Sequence, residues 1–461
     1  MATPRAPFTQ ELTRLLQLAA PLLVGQLAVL GLGITDIVLS GRAGTDDLAG
    51  VMLGATLFDL PMMFIMGVFI ANSTLAGRLH GRGDRAALNA HFFNTLWLAL
   101  PIGLVAALAV TLMRLVVLPQ LDTPASVKLI ASGYLLPMTA TAFLLPTLMA
   151  VRTTLEATGH PRLAMMFNLA AFAVNIPLDY AFINGWGWLP AMGGVGCGWA
   201  TLVVVSGVIG TQLFYIHKTP HLHFLHLHRR LRRPEWPAVR ELLALGTPMG
   251  GAILAEAGFF HVIPLMVASL GTLALAAHAV AMSFDMIMFM IPLALAQAIT
   301  IRSANALGKD DTRGARHIAV TGLKVGLALA LCQSLGVFLL RDQVPGMYTP
   351  DSTVASVAAS LLLVAAGIRI FDGLHIVGTG ILRGYGDTRS TLVISCVAFW
   401  LAGAPLAWLA ASGRLDLTGS GIQNIWLAIL GAVIFASAMT LWRVRTLMAS
   451  PRDPLANKAP N

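Results

Sequence analysis

The chain has 461 residues, of which 57% are hydrophobic and 11% charged, and its mean hydropathy is +0.77. That is far more apolar than a water-soluble domain, so a soluble enzyme or binding module is excluded in favour of a polytopic membrane protein. The formal net charge of +9 invites a nucleic-acid partner, but its basic residues are spread over short turns between apolar runs, which argues against one.

Taken in order, twelve apolar runs approach the roughly 20 residues that cross a bilayer: 15–39, 48–76, 92–118, 130–155, 163–184, 195–216, 243–268, 277–300, 319–340, 354–380, 391–411 and 422–441. The predicted fold class is therefore all-α, with twelve transmembrane helices in two six-helix lobes; a porin-type barrel would show short alternating strands instead. The first run is too long for a signal-peptide core and carries Asp36, so it reads as a retained helix. No G-x-x-x-x-G-K-[ST] loop, paired nucleophile, zinc signature or cofactor motif is present. The expectation is a protein that is not an enzyme and has no cofactor or metal. Cys197, Cys332 and Cys396 fall inside predicted spans without metal-binding spacing and read as small core residues.

With the N-terminus assigned to the cytoplasm, 23 of the 30 Lys and Arg fall on cytoplasmic turns and the two ends, five on the other face, and two, Lys324 and Arg369, inside spans. This asymmetry predicts a multi-pass protein of the inner or plasma membrane with both termini cytoplasmic. The expected domains are an N-lobe (1–216), a basic linker (217–240), a C-lobe (241–445) and a cytoplasmic tail (446–461). The linker reads HKTPHLHFLHLHRRLRRPEW over 217–236. Its five histidines have no zinc spacing and no nearby Cys or carboxylate, so a basic amphipathic segment on the anionic inner leaflet is the better reading.

Landmarks of the first half recur in the second at a shift of 227 residues. Pro21 answers to Pro248, Gly44 and Thr45 to Gly271 and Thr272, Gly81 and Arg82 to Gly308 and Lys309, and Gly159 and Arg162 to Gly386 and Arg389. The chain is thus two copies of a six-helix unit in the same orientation. The membrane acids break this symmetry, since Asp36 pairs with Ile263, Glu256 with Val29 and Asp372 with Leu145.

An acid near the bilayer centre costs about 2.5–3.5 kcal/mol on insertion scales, so it usually faces a cavity or partner. The fifth span, FNLAAFAVNIPLD over 167–179, carries Asn175 and Asp179 on one helix face. Between them Pro177 has no N–H for the carbonyl of Ala173, which suggests a kink able to act as a gate. The plainer alternative is a polar seam between helices. With Asp36 and Thr201, these residues make an oxygen-rich set suited to Na⁺ or, on the carboxylates, to a proton. The second half offers Glu256, Asp285, and Asp372 with Arg369 one turn away, where an ion pair is the structural alternative to a site. Met286, Met290 and Phe289 on the eighth span suit a pocket for varied apolar or cationic molecules, although such runs also serve ordinary packing.

ITDIVLSGRAG around Asp36, NIPLD at 175–179, TPMGG before Glu256, AAHAVAMSF around His278 and FDGLHIVGTGILRGYGDTRS from Phe371 follow one another in this order. Together with the two-copy plan they resemble the multidrug and toxic compound extrusion (MATE) family, most closely its NorM-like branch. The resemblance implies two six-helix lobes around a central cavity and exchange of H⁺ or Na⁺ for an expelled organic, often cationic, compound. It places Asp36, Asn175, Asp179 and Thr201 on an N-lobe cation site, and Glu256 and Asp372 on a C-lobe acidic pair. Where the branch commonly has a tyrosine one turn before the latter aspartate, this chain has Ile368 followed by Arg369. The implied partners are small organic substrates and membrane lipids, with no nucleic acid and a functional monomer. A major-facilitator carrier, a lipid or lipid-linked precursor flippase and a channel are the alternatives, although GRLHGRGDR lacks the facilitator's acidic and double-arginine turn.

Overall fold

A computed structural model describes residues 7–187, 190–225 and 233–449, and among them twelve helices are long and apolar enough to cross a membrane. They are α1 (Phe8–Ala43), α2 (Thr45–Arg82), α3 (Arg85–Gln120), α4 (Ala125–Ala157), α5 (Pro161–Asn184), α6 (Val195–Lys218), α7 (Trp236–Ala268), α8 (Thr272–Gly308), α9 (Thr312–Leu340), α10 (Ser352–Tyr385), α11 (Thr388–Ala411) and α12 (Gly421–Ala449). Each covers its apolar run, and most extend several residues past it, because a helix need not end where its apolar stretch does. The centre of the basic linker, 226–232, and the tail from 450 onward lie outside the described residues. Large apolar side chains such as Leu104, Val105 and Leu108 of α3 are exposed, as expected of faces solvated by lipid. Cys332 is exposed too, which corrects its reading as a core residue; a thiol is apolar enough for either environment.

The 227-residue duplication reappears as chain geometry. Gly44 and Gly271 precede α2 and α8 as their N-caps. Asp84 and Asp311 cap α3 and α9, accepting from the N–H groups of Ala87 (2.9 Å) and Gly314 (2.8 Å), so each carboxylate satisfies a donor that the helix start leaves open. Gly83 and Asp310 both turn the chain at positive φ, 73° and 57°. The aspartate tolerates a backbone that otherwise favours glycine.

Two compact units result, one of Val24–Gly250 and one of Met1–Leu23 with Gly251–Asn461. The divides fall at corresponding points of α1 and α7, again 227 residues apart, rather than at the linker. The start of α1 belongs with the second half because Glu11, 2% exposed, takes a bidentate ion pair from Arg302 of α8, at 2.7 and 2.9 Å; two aligned, charge-assisted bonds satisfy both carboxylate oxygens. The start of α7 belongs with the first half because its backbone lies against α2. A Cβ on Gly67 would collide with the backbone of Gly250.

Gly67→Val is therefore expected to lower the melting temperature strongly, since overpacking typically costs about 1–3 kcal/mol and backbone cannot swing aside. Gly336→Ala, where an added methyl meets nothing within 4 Å, should leave it unchanged or raise it slightly. Thermal unfolding of both variants in detergent checks the contrast.

Inside the first unit, α2, α3 and α4 are joined by a buried polar hub. The Asn72 carboxamide donates to the hydroxyls of Thr153 and Thr154, both at 2.9 Å, and accepts from Thr95 at 3.2 Å. His91 Nε2 lies 2.8 Å from the same Asn72 oxygen. Such bonds hold helices together where lipid removes the usual hydrophobic drive.

Candidate functional site

In the first unit, α1, α5 and α6 converge through small residues. Gly31 of α1 leaves room for the ring of Phe172 on α5, which an added Cβ would meet at 2.7 Å. One turn before, the Asn168 carboxamide donates to the Gly25 carbonyl at 3.2 Å. Gly196 and Gly198 bring α6 against the backbones of Phe182 and Tyr134, where a Cβ would stand 2.7 Å from the nearest backbone atom in each case. The residue between them, Cys197, is consequently driven into the interior.

These approaches bring Asp36, Asp179 and Cys197 together, with one oxygen or sulfur of each within 4.8 Å of the others. Asp179 and Asn175 are fully buried and Asp36 is 6% exposed. Neither oxygen of Asp179, nor Oδ1 of Asp36, nor either polar atom of the Asn175 carboxamide makes a well-aligned hydrogen bond; the polar neighbours of Asp179 are Asp36 and Asn175 themselves. Four residues beyond Cys197, on the same face of α6, Thr201 is half-buried. The helix α5 runs through Pro177 without interruption.

Buried polar groups are normally satisfied, and a pair of adjacent carboxylates without donors is costly. Such a pair suits a proton or a small hard cation held by carboxylate and carboxamide oxygens. The sequence singled out both acids but not the thiol. Its only signal was the Gly-Cys-Gly triplet, which marks close approach.

In the second unit, Arg369 of α10 lies between two acids. Its Nη2 donates to Asp285 of α8 at 2.9 Å and lies 3.1 Å from Asp372, the latter contact without hydrogen-bond alignment. Both Arg369 and Asp372 are 3% exposed and Asp285 is half-buried, so the ion pair foreseen from their spacing is a largely buried triad that includes Asp285. Glu256 of α7 lies 3.9 Å from Nε2 of His375, whose Nδ1 is 2.9 Å from the Thr440 hydroxyl. The sequence reading missed His375. A further histidine, His278, accepts from the Trp426 indole at 3.2 Å. On α8, Met282, Phe284 and Met288 pack on the core of this unit, whereas Met286 is exposed and Phe289 and Met290 are half-buried.

The MatE family model matches residues 21–181 and 248–409, two segments whose starts are again 227 residues apart. The chain is 33% identical over 459 residues to "Multidrug resistance protein PmpM" of Pseudomonas aeruginosa, covering 96% of this chain and 94% of the relative. It is 33% identical over 438 residues to "Probable multidrug resistance protein NorM" of Chromobacterium violaceum, covering 94% of each. Among solved structures, the Vibrio cholerae MATE transporter VcmN in the bent form superposes with a TM-score of 0.84 at 19% identity, over 96% of this chain and 98% of that one. An outward-facing multidrug resistance MATE transporter of the MOP superfamily does so with a TM-score of 0.83 at 17% identity, over 97% of each chain. At those identities the structures establish the fold alone, but the family match and the full-length relatives reach further: the chain belongs to the MatE family of multidrug and toxic compound extrusion transporters.

Proposed function

We propose that this protein is a secondary antiporter that exports bulky organic, often cationic, compounds in exchange for H⁺ or Na⁺. The observation that carries the reading is the buried pair of Asp36 and Asp179, three of whose four oxygens lack a well-aligned donor, in a protein with twelve helices apolar enough to cross a membrane among the described residues. Their oxygens, with those of Asn175 and Thr201, are the coupling set. The ion enters this set from outside, α5 or its neighbours bend near Pro177, and substrate affinity falls on the outward face. The ion then leaves inward. Coupling requires that ion and substrate stabilise different states of the transporter. Glu256 and Asp372 contribute negative charge to substrate recognition, with Arg369 holding Asp372 and Asp285 in place. Met286, Phe289 and Met290 offer adaptable apolar contact.

The names of the relatives support a multidrug substrate range, and family membership sets aside the major-facilitator alternative. A flippase or a channel would not couple export of a drug to an ion gradient. On this reading the protein works in the inner or plasma membrane, as a monomer among lipids, with no cofactor beyond the coupling ion. The test is accumulation of a fluorescent organic cation in a host lacking its own pumps. Expression should lower accumulation, and collapse of the proton and sodium gradients should restore it; export that survives the collapse of both gradients contradicts the antiport reading.

Orientation has its own check. A single cysteine placed within 217–236, in a background without the native cysteines, should react with an impermeant maleimide only in inverted vesicles or opened cells. Labelling in intact cells would reverse the assigned direction of transport.

A further inference from the structure

We propose that Asp36, Asp179 and Cys197 form a binding site for a thiophilic divalent cation, Zn²⁺ or Cd²⁺, that locks α1, α5 and α6 together and blocks transport. One sulfur and two carboxylates, each from a different helix, have ligand atoms within 4.8 Å of one another. In a tetrahedral site with bonds of about 2.0–2.3 Å, the donors stand roughly 3.3–3.8 Å apart. Contraction by about an ångström, within the reach of side-chain rotation, closes such a site.

The donors are held for it by packing and by want of other partners. Asp179 is fully buried with both oxygens unpaired, and the Cys197 thiol points at the α1 backbone beside the acid, 3.8 Å from the carbonyl of Asp36. Asn175, one turn before Asp179, beside it and without a well-aligned hydrogen bond of its own, supplies a fourth donor. On binding, the metal replaces the thiol proton, which leaves to solvent, and the product is a metal thiolate with no change of oxidation state.

Two carboxylates and a carboxamide alone suit hard cations. The added thiolate shifts preference to softer ones and raises affinity for them. An ion held at once by a thiolate on α6 and carboxylates on α1 and α5 leaves slowly, so it occupies the coupling set without turning over. The block rests on the transport reading above; the binding does not.

The experiment uses the full chain purified in detergent with Cys332→Ala and Cys396→Ala, which leaves Cys197 as the single thiol. Titration with CdCl₂ should produce the ultraviolet charge-transfer band of a cadmium thiolate, saturating at one metal per chain and competed by Zn²⁺. Adding Cys197→Ser should abolish the band. Adding Asp179→Asn or Asp36→Asn should weaken binding about tenfold or more; either variant carries the comparison if the other does not fold. Histidines of the linker cannot imitate the result, since they give no thiolate band.

Absence of the band, or a midpoint unchanged by both aspartate substitutions, overturns the site. In proteoliposomes the same background should export substrate and be blocked by Cd²⁺ at the concentrations that fill the band. Unimpeded export at saturation overturns the block. A band of the expected strength in a protein that exports nothing leaves the binding site standing and overturns the transport reading instead.

Discussion

Asp36→Asn and Asp179→Asn are each expected to reduce gradient-driven efflux to the background of empty vesicles while leaving the protein folded and inserted. A carboxamide has the shape of the acid but can neither carry a proton at ordinary pH nor supply the charge that holds Na⁺. The fold should not suffer, because two ionised carboxylates with oxygens within 4.8 Å of each other repel, by roughly 3–4 kcal/mol at an effective dielectric of 20. Neutralising one removes that repulsion, so melting temperatures should hold or rise. Glu256→Gln should behave differently, with partial transport and a changed order of substrate preference, because Glu256 belongs to the other unit, next to His375. Efflux assays and thermal unfolding on the same preparations separate loss of coupling from loss of fold. Full gradient-dependent efflux by Asp36→Asn would sink the assignment of the first unit.

The second large effect is on stability. Arg369→Ala should sharply lower the yield of inserted protein and its melting temperature, by the equivalent of about 3–5 kcal/mol, because removing one member of a buried ionic group strands the others. Two acids are stranded here, Asp285 and Asp372, which lie 2.9 and 3.1 Å from the guanidinium. Adding Asp372→Asn should rescue only part of the loss, and adding Asp285→Asn as well should rescue most of it. Such a graded return is the signature of a triad rather than a pair, and couplings of this kind are measured by cycles of single and multiple changes. If Arg369→Ala alone matches the parent, the group contributes nothing to the fold and Asp372 returns as a candidate coupling residue.

These two clusters differ in how much of them could be read from the chain. The twelve spans were legible because a helix in lipid must be apolar over a length that the bilayer sets, and the duplication because turns reuse the same Gly and Asp positions. Asp36 and Asp179 stood out because acids are rare in such runs, and the resemblance put them in one site. The i, i+3 spacing of Arg369 and Asp372 disclosed their contact on a single helix. Asp285 could not be joined to them in the same way, since its partner lies 84 residues away and only packing of α8 against α10 brings it near. Cys197 was hidden for a related reason. A cysteine in an apolar span looks like any small residue until the glycines on either side are seen to push it inward. The division of α1 was equally out of reach, because Glu11 meets Arg302 across 291 residues of sequence.

The central claim is that the unpaired acids of the first unit convert an ion gradient into export. It is tested most directly in proteoliposomes preloaded with an organic cation, with H⁺ and Na⁺ gradients imposed separately and with no other energy source. The account predicts rapid efflux under at least one of the two gradients, none without a gradient, and none under either gradient for Asp36→Asn or Asp179→Asn. Efflux of the parent that is indifferent to both gradients, or efflux that survives in both aspartate variants, would contradict it.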